Sequence, residues 1–225
     1  YVIGMGPGAY EQMTVKAVRT LEQCDVIVGY TVYIELLKEH FPDKRYLTTS
    51  MRQEAERCRM AFEEAKKGAV TAMVCSGDAG IYGMAGLMYE IGEEYPEVAI
   101  DVIPGVTAAL GGSAVLGAAV GHDVSLISLS DLLTPWELIE ERLRCAAKGD
   151  FVICLYNPSS RKRSTYLAKA CELILEYKPE DTVCGIVKNI AREGEAMQTL
   201  TLKELKETAV DMFSTVFIGN KQTKI

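Results

Sequence analysis

Four short loops in this chain carry the residue types from which a ligand site is built, and each directly follows an apolar, β-branched run. They are Gly4-Met-Gly-Pro-Gly8, Ser76-Gly-Asp-Ala-Gly-Ile-Tyr-Gly83, Pro104-Gly-Val-Thr-Ala108 and Tyr156-Asn-Pro-Ser-Ser160. Glycine at the carboxyl end of a strand lets backbone amides and carbonyls come close to a ligand. Ligands of open α/β sheets collect at such strand ends. Taken singly, each loop reads more readily as a plain turn. A dinucleotide fingerprint at Gly4–Ala9 is disfavoured, because Pro7 lacks the amide that a pyrophosphate would take. The acidic residue such a site needs is also misplaced, since Asp25 precedes Val26-Ile-Val28 and Gly29 follows. No Gly-Lys-Ser/Thr occurs, so a P-loop is disfavoured more strongly still.

Side chains that do chemistry by themselves are sparse. The two histidines are His40 and His122, and the 7 cysteines are scattered without a Cys-x-x-Cys pair. A transition-metal site built by the protein is therefore not expected, and buried thiols in a reducing cytoplasm fit better than disulfides or zinc. A net charge of -7 argues against duplex nucleic acid, which needs a basic face. It leaves room for an anionic small molecule held by a local cluster such as Arg161-Lys162-Arg163.

The elements that must position these loops alternate in type, as in an α/β protein. Strands are predicted at 1–4, 25–28, 70–75 and 98–103, with helices starting near Thr14, Thr31, Arg52 and Met84. The helix from Arg52 to Lys67 is richly charged and reads as a surface helix with Ala55, Met60, Ala61, Phe62 and Ala65 as its apolar set. From Thr107 to Ala119 small residues dominate and permit close backbone packing. Gly117–Gly121 is the expected junction, giving domains 1–118 and 119–225. The second half reads as strand 125–128, a helix from Trp136 to Ala147 started by Thr134-Pro135, strand 151–156, helix 164–177 and strand 182–188. Strands at 196–200 and 214–218 flank a short helix. No repeat, low-complexity segment or membrane-length apolar run is present. Tyr1–Gly8 reads as a strand entering a turn and not as a secretory leader. With no initiator Met and an abrupt end, a short stretch is expected to be missing at either side.

The order and spacing of Gly-Met-Gly-Pro-Gly, Ser-Gly-Asp-x-Gly-Ile-Tyr-Gly and Ile-Pro-Gly-Val-Thr-Ala resemble the tetrapyrrole methylase family across essentially the whole chain. Within it, Gly121-His-Asp123 and Ile127–Glu137 are similar to the branch that methylates C17 of precorrin-3B or cobalt-precorrin-3. Leu155-Tyr-Asn-Pro-Ser159 and Val187-Lys-Asn-Ile-Ala-Arg192 resemble the same branch. The resemblance implies a two-domain α/β fold with S-adenosylmethionine in the cleft between domains, leaving S-adenosylhomocysteine as product. It implies cofactor contacts at Pro7, Gly77, Asp78, Ile81, Tyr82, Thr107, Ala108, Tyr156 and Asn157, with Asn189 and Arg192 added. Ala79 departs from the family, which usually has proline there. A cytoplasmic homodimer acting on an anionic tetrapyrrole, without nucleic acid or membrane partners, is the accompanying expectation. Rival readings are another precorrin carbon or a ribosomal RNA ribose as acceptor, or a nucleotide-sensing module without catalysis.

Methyl transfer from a sulfonium asks the protein for positioning and exclusion of water. The ring contraction that accompanies C17 methylation in that branch adds proton movement, so an acid or base is expected. His122 is the first candidate because imidazole titrates near neutrality. Asp123, Ser128, Ser130 and Asp131 follow, with Asp131 more naturally a capping or surface residue. The many carboxylates of such a substrate suit Arg161, Lys162 and Arg163, although a run of charges is normally read as solvated surface. Three cations ahead of a helix oppose its dipole, a cost that an anionic ligand offsets. Lys44, Arg45 and Arg52 are weaker candidates.

Overall fold

A computed structural model of the chain describes residues 1–160 and 162–224. The backbone divides into two compact units, Tyr1–Ala108 and Ala109–Ile225. Unit 1 runs β1 (Val2–Gly4), α1 (Val15–Gln23), β2 (Val26–Tyr30), α2 (Thr31–Lys38), β3 (Arg45–Thr49), α3 (Glu54–Lys66), β4 (Thr71–Cys75), α4 (Ala85–Gly92) and β5 (Val102–Ile103). All five strands are parallel, in the order β3-β2-β4-β1-β5. β4 is buried along its whole length, as is β2 up to Gly29, which is why both read as continuous apolar runs.

Alternation along each strand sorts the core into two layers. Ile3, Ile27, Val74 and Ile103 pack with Ala17 and Leu21 of α1 and Ile34 and Leu37 of α2. Val2, Val28, Met73 and Cys75 pack with Cys58 and Phe62 of α3 and Met88 and Ile91 of α4. Connections leading from β1 out to β3 thus cover one face, and those returning from β3 to β5 cover the other, as right-handed crossovers require. Neighbouring strands β1 and β4 therefore send their chains to opposite faces, which opens a crevice at their carboxyl ends.

Helix starts follow local chemistry. Thr14 caps α1 by accepting the Ala17 N–H at 3.1 Å. α3 begins at Glu54, later than the sequence suggested, because Arg52 has φ of 70°. α3 also differs from a simple surface helix: Arg57, Cys58, Ala61, Phe62 and Glu64 form its buried stripe, and Ala55 is exposed. β3, unforeseen in the sequence, is a half-exposed edge strand. The strand expected over 98–103 pairs only at Val102 and Ile103, where it meets β1.

Unit 2 comprises α5 (Ala108–Val115), β6 (Val124–Ser128), α6 (Trp136–Lys148), β7 (Val152–Tyr156), α7 (Tyr166–Leu175), β8 (Val183–Lys188), β9 (Ala196–Thr201), α8 (Leu202–Lys206) and β10 (Ser214–Ile218). The sheet order is β6-β7-β10-β8-β9, with β6 and β7 parallel and the remaining pairs antiparallel. β6, β7 and β8 consequently share one direction. One core packs Leu143, Ile153, Leu155, Leu167, Ile174, Leu205 and Val216 together. α8 opens with a capping box between Thr201 and Glu204.

The division falls ten residues before the expected 118/119 boundary because α5 packs with unit 2. A Cβ on Gly112 would stand 2.7 Å from the Phe217 ring, and one on Gly185 would stand 2.6 Å from Leu116. The small residues there are footholds for the second sheet. The cysteines form no disulfide; six are buried and Cys145 is exposed. Burial pushes Cys58 up to about 11 and Cys75 up to about 12. Among the described residues no helix is long and apolar enough to cross a membrane.

Candidate functional site

The loops after β1, β4 and β5 meet side by side, because β4, β1 and β5 are neighbours in the sheet. Met5 N–H donates to the Cys75 carbonyl at 2.9 Å, Gly6 N–H to the Gly77 carbonyl at 3.0 Å, and Gly77 N–H to the Gly6 carbonyl at 2.7 Å. Gly6 and Gly77 lie at φ of 75° and 70°, where an L side chain is strained. The loop after β5 comes closer still. A Cβ on Gly105 would sit 2.2 Å from the Gly77 carbonyl oxygen and 2.5 Å from that of Gly4. Three backbones thus touch with no room for a side chain between them.

Asp78 bolts this arrangement together. Its Oδ1 accepts N–H groups of Gly80 at 2.8 Å and Ile81 at 3.0 Å, and its Oδ2 accepts the Gly105 N–H at 3.0 Å. The carboxylate expected to face a ligand is therefore turned toward its own loops. Ile81 and Tyr82 are exposed beside it, Tyr82 at φ of 53°. Thr107 is buried, and the Thr107 Cα and Ala108 nitrogen lie 3.6 and 3.7 Å from where a Gly77 Cβ would be. Pro7 is buried too. Ala79 is wholly buried in the core under the loop, and its carbonyl accepts the Ala85 N–H at 2.9 Å.

In unit 2, Ser128, Tyr156 and Asn189 share one sheet edge. Asn157, exposed at φ of 52°, donates through Nδ2 to Ser128 Oγ at 2.9 Å, and Ser130 N–H donates to the same hydroxyl at 3.2 Å. The Tyr156 hydroxyl accepts the Ala109 N–H at 2.9 Å. Asn189, at φ of 51°, spans its own turn, with Nδ2 at 3.4 Å from the carbonyls of Glu193 and Gly194. The Arg192 N–H closes on the Asn189 carbonyl at 2.9 Å.

The three cations of the proposed cluster differ in setting. Arg161 lies outside the described residues, and Lys162 is exposed. Arg163 folds inward: Nε donates to Ser160 Oγ at 3.1 Å, and Nη1 stands 3.8 Å from Asp131 Oδ1. Asp131 also accepts the Tyr166 hydroxyl at 2.6 Å, joining the loops after β6 and β7. α7 starts at Tyr166, so the cations precede the helix by more than the sequence suggested. His122 is exposed just before the amino end of β6. With 5 residues in that strand, about 16 Å of extended chain separates it from the edge bearing Asn157. The structure thus does not bring His122 together with Ser128, Ser130 and Asp131.

A family model described as Tetrapyrrole (Corrin/Porphyrin) Methylases matches residues 1–206. The chain belongs to the tetrapyrrole methylases. It is 44% identical over 225 residues to the probable cobalt-factor III C(17)-methyltransferase of Salmonella typhimurium, covering all of this chain and 93% of that protein. It is 36% identical over 229 residues to the precorrin-3B C(17)-methyltransferase of a Sinorhizobium species, covering 100% of this chain and 90% of that one. The crystal structure of the methyltransferase CobJ superposes with a TM-score of 0.90 at 33% identity, covering 100% of this chain and 95% of that one.

Of the weaker cation candidates in this methylase, Lys44 donates to the Glu22 carbonyl at 2.6 Å and Arg45 pairs with Glu64. Arg52 is exposed in a turn. Sequence reasoning passed over Arg57, which is buried beside the ends of β2 and β3. The signal was present: Arg57, Ala61 and Glu64 recur at helical spacing on the stripe that α3 buries. Among the described residues no three His, Cys, Asp or Glu side chains group as a metal site would need.

Proposed function

We propose that this methylase transfers a methyl group from S-adenosylmethionine to C17 of a corrin precursor, with contraction of the macrocycle, in cobalamin biosynthesis. The observation that carries the reading is the 44% identity over the full chain with a cobalt-factor III C(17)-methyltransferase. The lower figure of 36% for the precorrin-3B relative favours the cobalt-containing substrate. The cofactor fits the chemistry of the glycine loops in unit 1. Gly4, Gly77 and Gly105 let three strand-end backbones meet without side chains between them, and the exposed Ile81 and Tyr82 beside them suit an adenine face. When bound, the cofactor supplies an electrophilic methyl group on sulfonium. The loops then have the task of holding that group in line with the ring carbon, a contribution of orientation. Asp78 serves by fixing the loops. Asn157, exposed at its own sheet edge, is the unit 2 residue best placed for ligand contact.

The test is to incubate the protein with S-adenosylmethionine and either cobalt-factor III or precorrin-3B, following product mass and S-adenosylhomocysteine release. One methyl gained at C17, faster on the cobalt substrate, is the expected outcome. S-adenosylhomocysteine at about 100 times its Kd should also stabilise the native protein by about 2.7 kcal/mol. The absence of both turnover and thermal stabilisation would refute the assignment.

A further inference from the structure

Arg57 is 5% exposed, yet among the described residues no carboxylate pairs with it. Its guanidinium reaches from the first turn of α3 to the end of β3. There Nε donates to Thr49 Oγ1 at 2.9 Å and Nη2 to the Ser50 carbonyl at 3.0 Å. Its carbon lies 5.8 Å from the centre of the Tyr30 ring, at the end of β2. A guanidinium has five N–H donors; these contacts use one on Nε and one on Nη2. Among the described residues Nη1 makes no hydrogen bond, and the enclosed side-chain nitrogen without a partner is that of Arg163, not of Arg57. Nη1 of Arg57 therefore opens onto accessible space.

A buried cation held by neutral acceptors and a ring is costly unless an anion completes it. Its position adds to the case. β2 and β3 run parallel to β4 and β1, so Arg57 stands at the same carboxyl edge as the glycine loops. Adjacent strands are about 5 Å apart, which sets the guanidinium one or two strand spacings from the Gly77 loop. A planar fork is the group that takes a carboxylate through two parallel hydrogen bonds. Lys44 and Arg45, on the same side of the sheet order, are already engaged.

We propose that Arg57 is a carboxylate-binding residue, receiving a ligand carboxylate at the strand-end site of unit 1. The inference rests on the methyltransferase reading above. The carboxylate has two possible sources: an acetate or propionate of the tetrapyrrole, and the amino-acid end of the cofactor.

Arg57→Gln and Arg57→Lys distinguish them. If the tetrapyrrole is the source, Gln raises its KM at least tenfold and leaves kcat and S-adenosylhomocysteine Kd within twofold. If the cofactor is the source, Gln weakens S-adenosylhomocysteine at least tenfold and leaves 5′-methylthioadenosine, which lacks the carboxylate, unchanged. Either result supports the site. Arg57→Lys keeps the charge without the fork and should give a smaller change in the same constant, so it decides the matter if Gln does not fold. A folded Lys variant with KM and both Kd values unchanged, and only a lowered Tm, makes Arg57 a structural clamp and overturns the proposal. Wild-type turnover and S-adenosylhomocysteine binding are measured first. Their failure defeats the methyltransferase reading, whereas variants indistinguishable from an active wild type defeat only the role of Arg57.

Discussion

Asp78 shows how a residue type announces a site without announcing its task. The Gly77-Asp78 turn suggests a carboxylate aimed at a ligand, but three backbone N–H groups occupy it. Removing the acceptor leaves the Gly105 N–H partly buried and unpaired, a loss of about 1–3 kcal/mol. Gly80 and Ile81 are exposed, so water replaces the acceptor at their N–H groups. We therefore expect Asp78→Ala to lower unfolding stability by about 1–3 kcal/mol and to weaken S-adenosylhomocysteine with it. Asp78→Asn should fall between the two in both measurements. Urea titrations beside cofactor titrations check this; intact stability with lost affinity would mean that Asp78 touches the ligand itself. Sequence identified the loop correctly as special, but which way a carboxylate turns depends on where the Gly105 amide arrives.

At the level of elements, the glycine loops work by letting three strand ends touch. Gly105→Ala places a methyl 2.2 Å from a carbonyl oxygen of a neighbouring strand loop, and backbone on both sides leaves it nowhere to move. We expect a loss of at least about 1–3 kcal/mol and a melting temperature several degrees lower. Gly86 is the contrasting case, since it lies in α4 and an added Cβ meets nothing within 4 Å. Gly86→Ala should stabilise by up to about 1 kcal/mol through helix propensity. Melting curves of the two variants test whether contact, and not glycine content, sets the cost. The segment 108–115 follows the same logic: its composition showed close packing, but the partner became known only when Gly112 was seen under Phe217.

For the molecule as a whole, acid stability has an identifiable contributor in Asp150. Burial alone raises its carboxyl, but the ammonium of Lys178 at 3.0 Å and the Lys221 N–H hold it below the usual carboxylate range. A depressed folded value means the stabilisation is present above the unfolded value, near pH 4, and is lost as pH falls through the folded value. Asp150 sits at φ of 56°, which asparagine tolerates, so Asp150→Asn isolates the charge. We expect it to cost about 1 kcal/mol at pH 7, solvent screening included, with the difference from wild type narrowing towards pH 3 in urea unfolding. A gap that stays constant with pH would rule out the ion pair as its cause. The fold class, most strands, the Thr14-capped start of α1 and the strand-end glycine loops were legible because each is written in a short window: periodicity, a cap, or a glycine after an apolar run. β3 was hidden because an edge strand has little to bury, and α5 was misassigned because its packing partners lie about seventy to a hundred residues further along the chain. The direction of Asp78, the inward fold of Arg163, the separation of His122 from Asn157 and the burial of Arg57 with no carboxylate beside it among the described residues were settled only by tertiary structure. Each depends on which distant donor, acceptor or ring a side chain meets, and local sequence carries no record of that meeting.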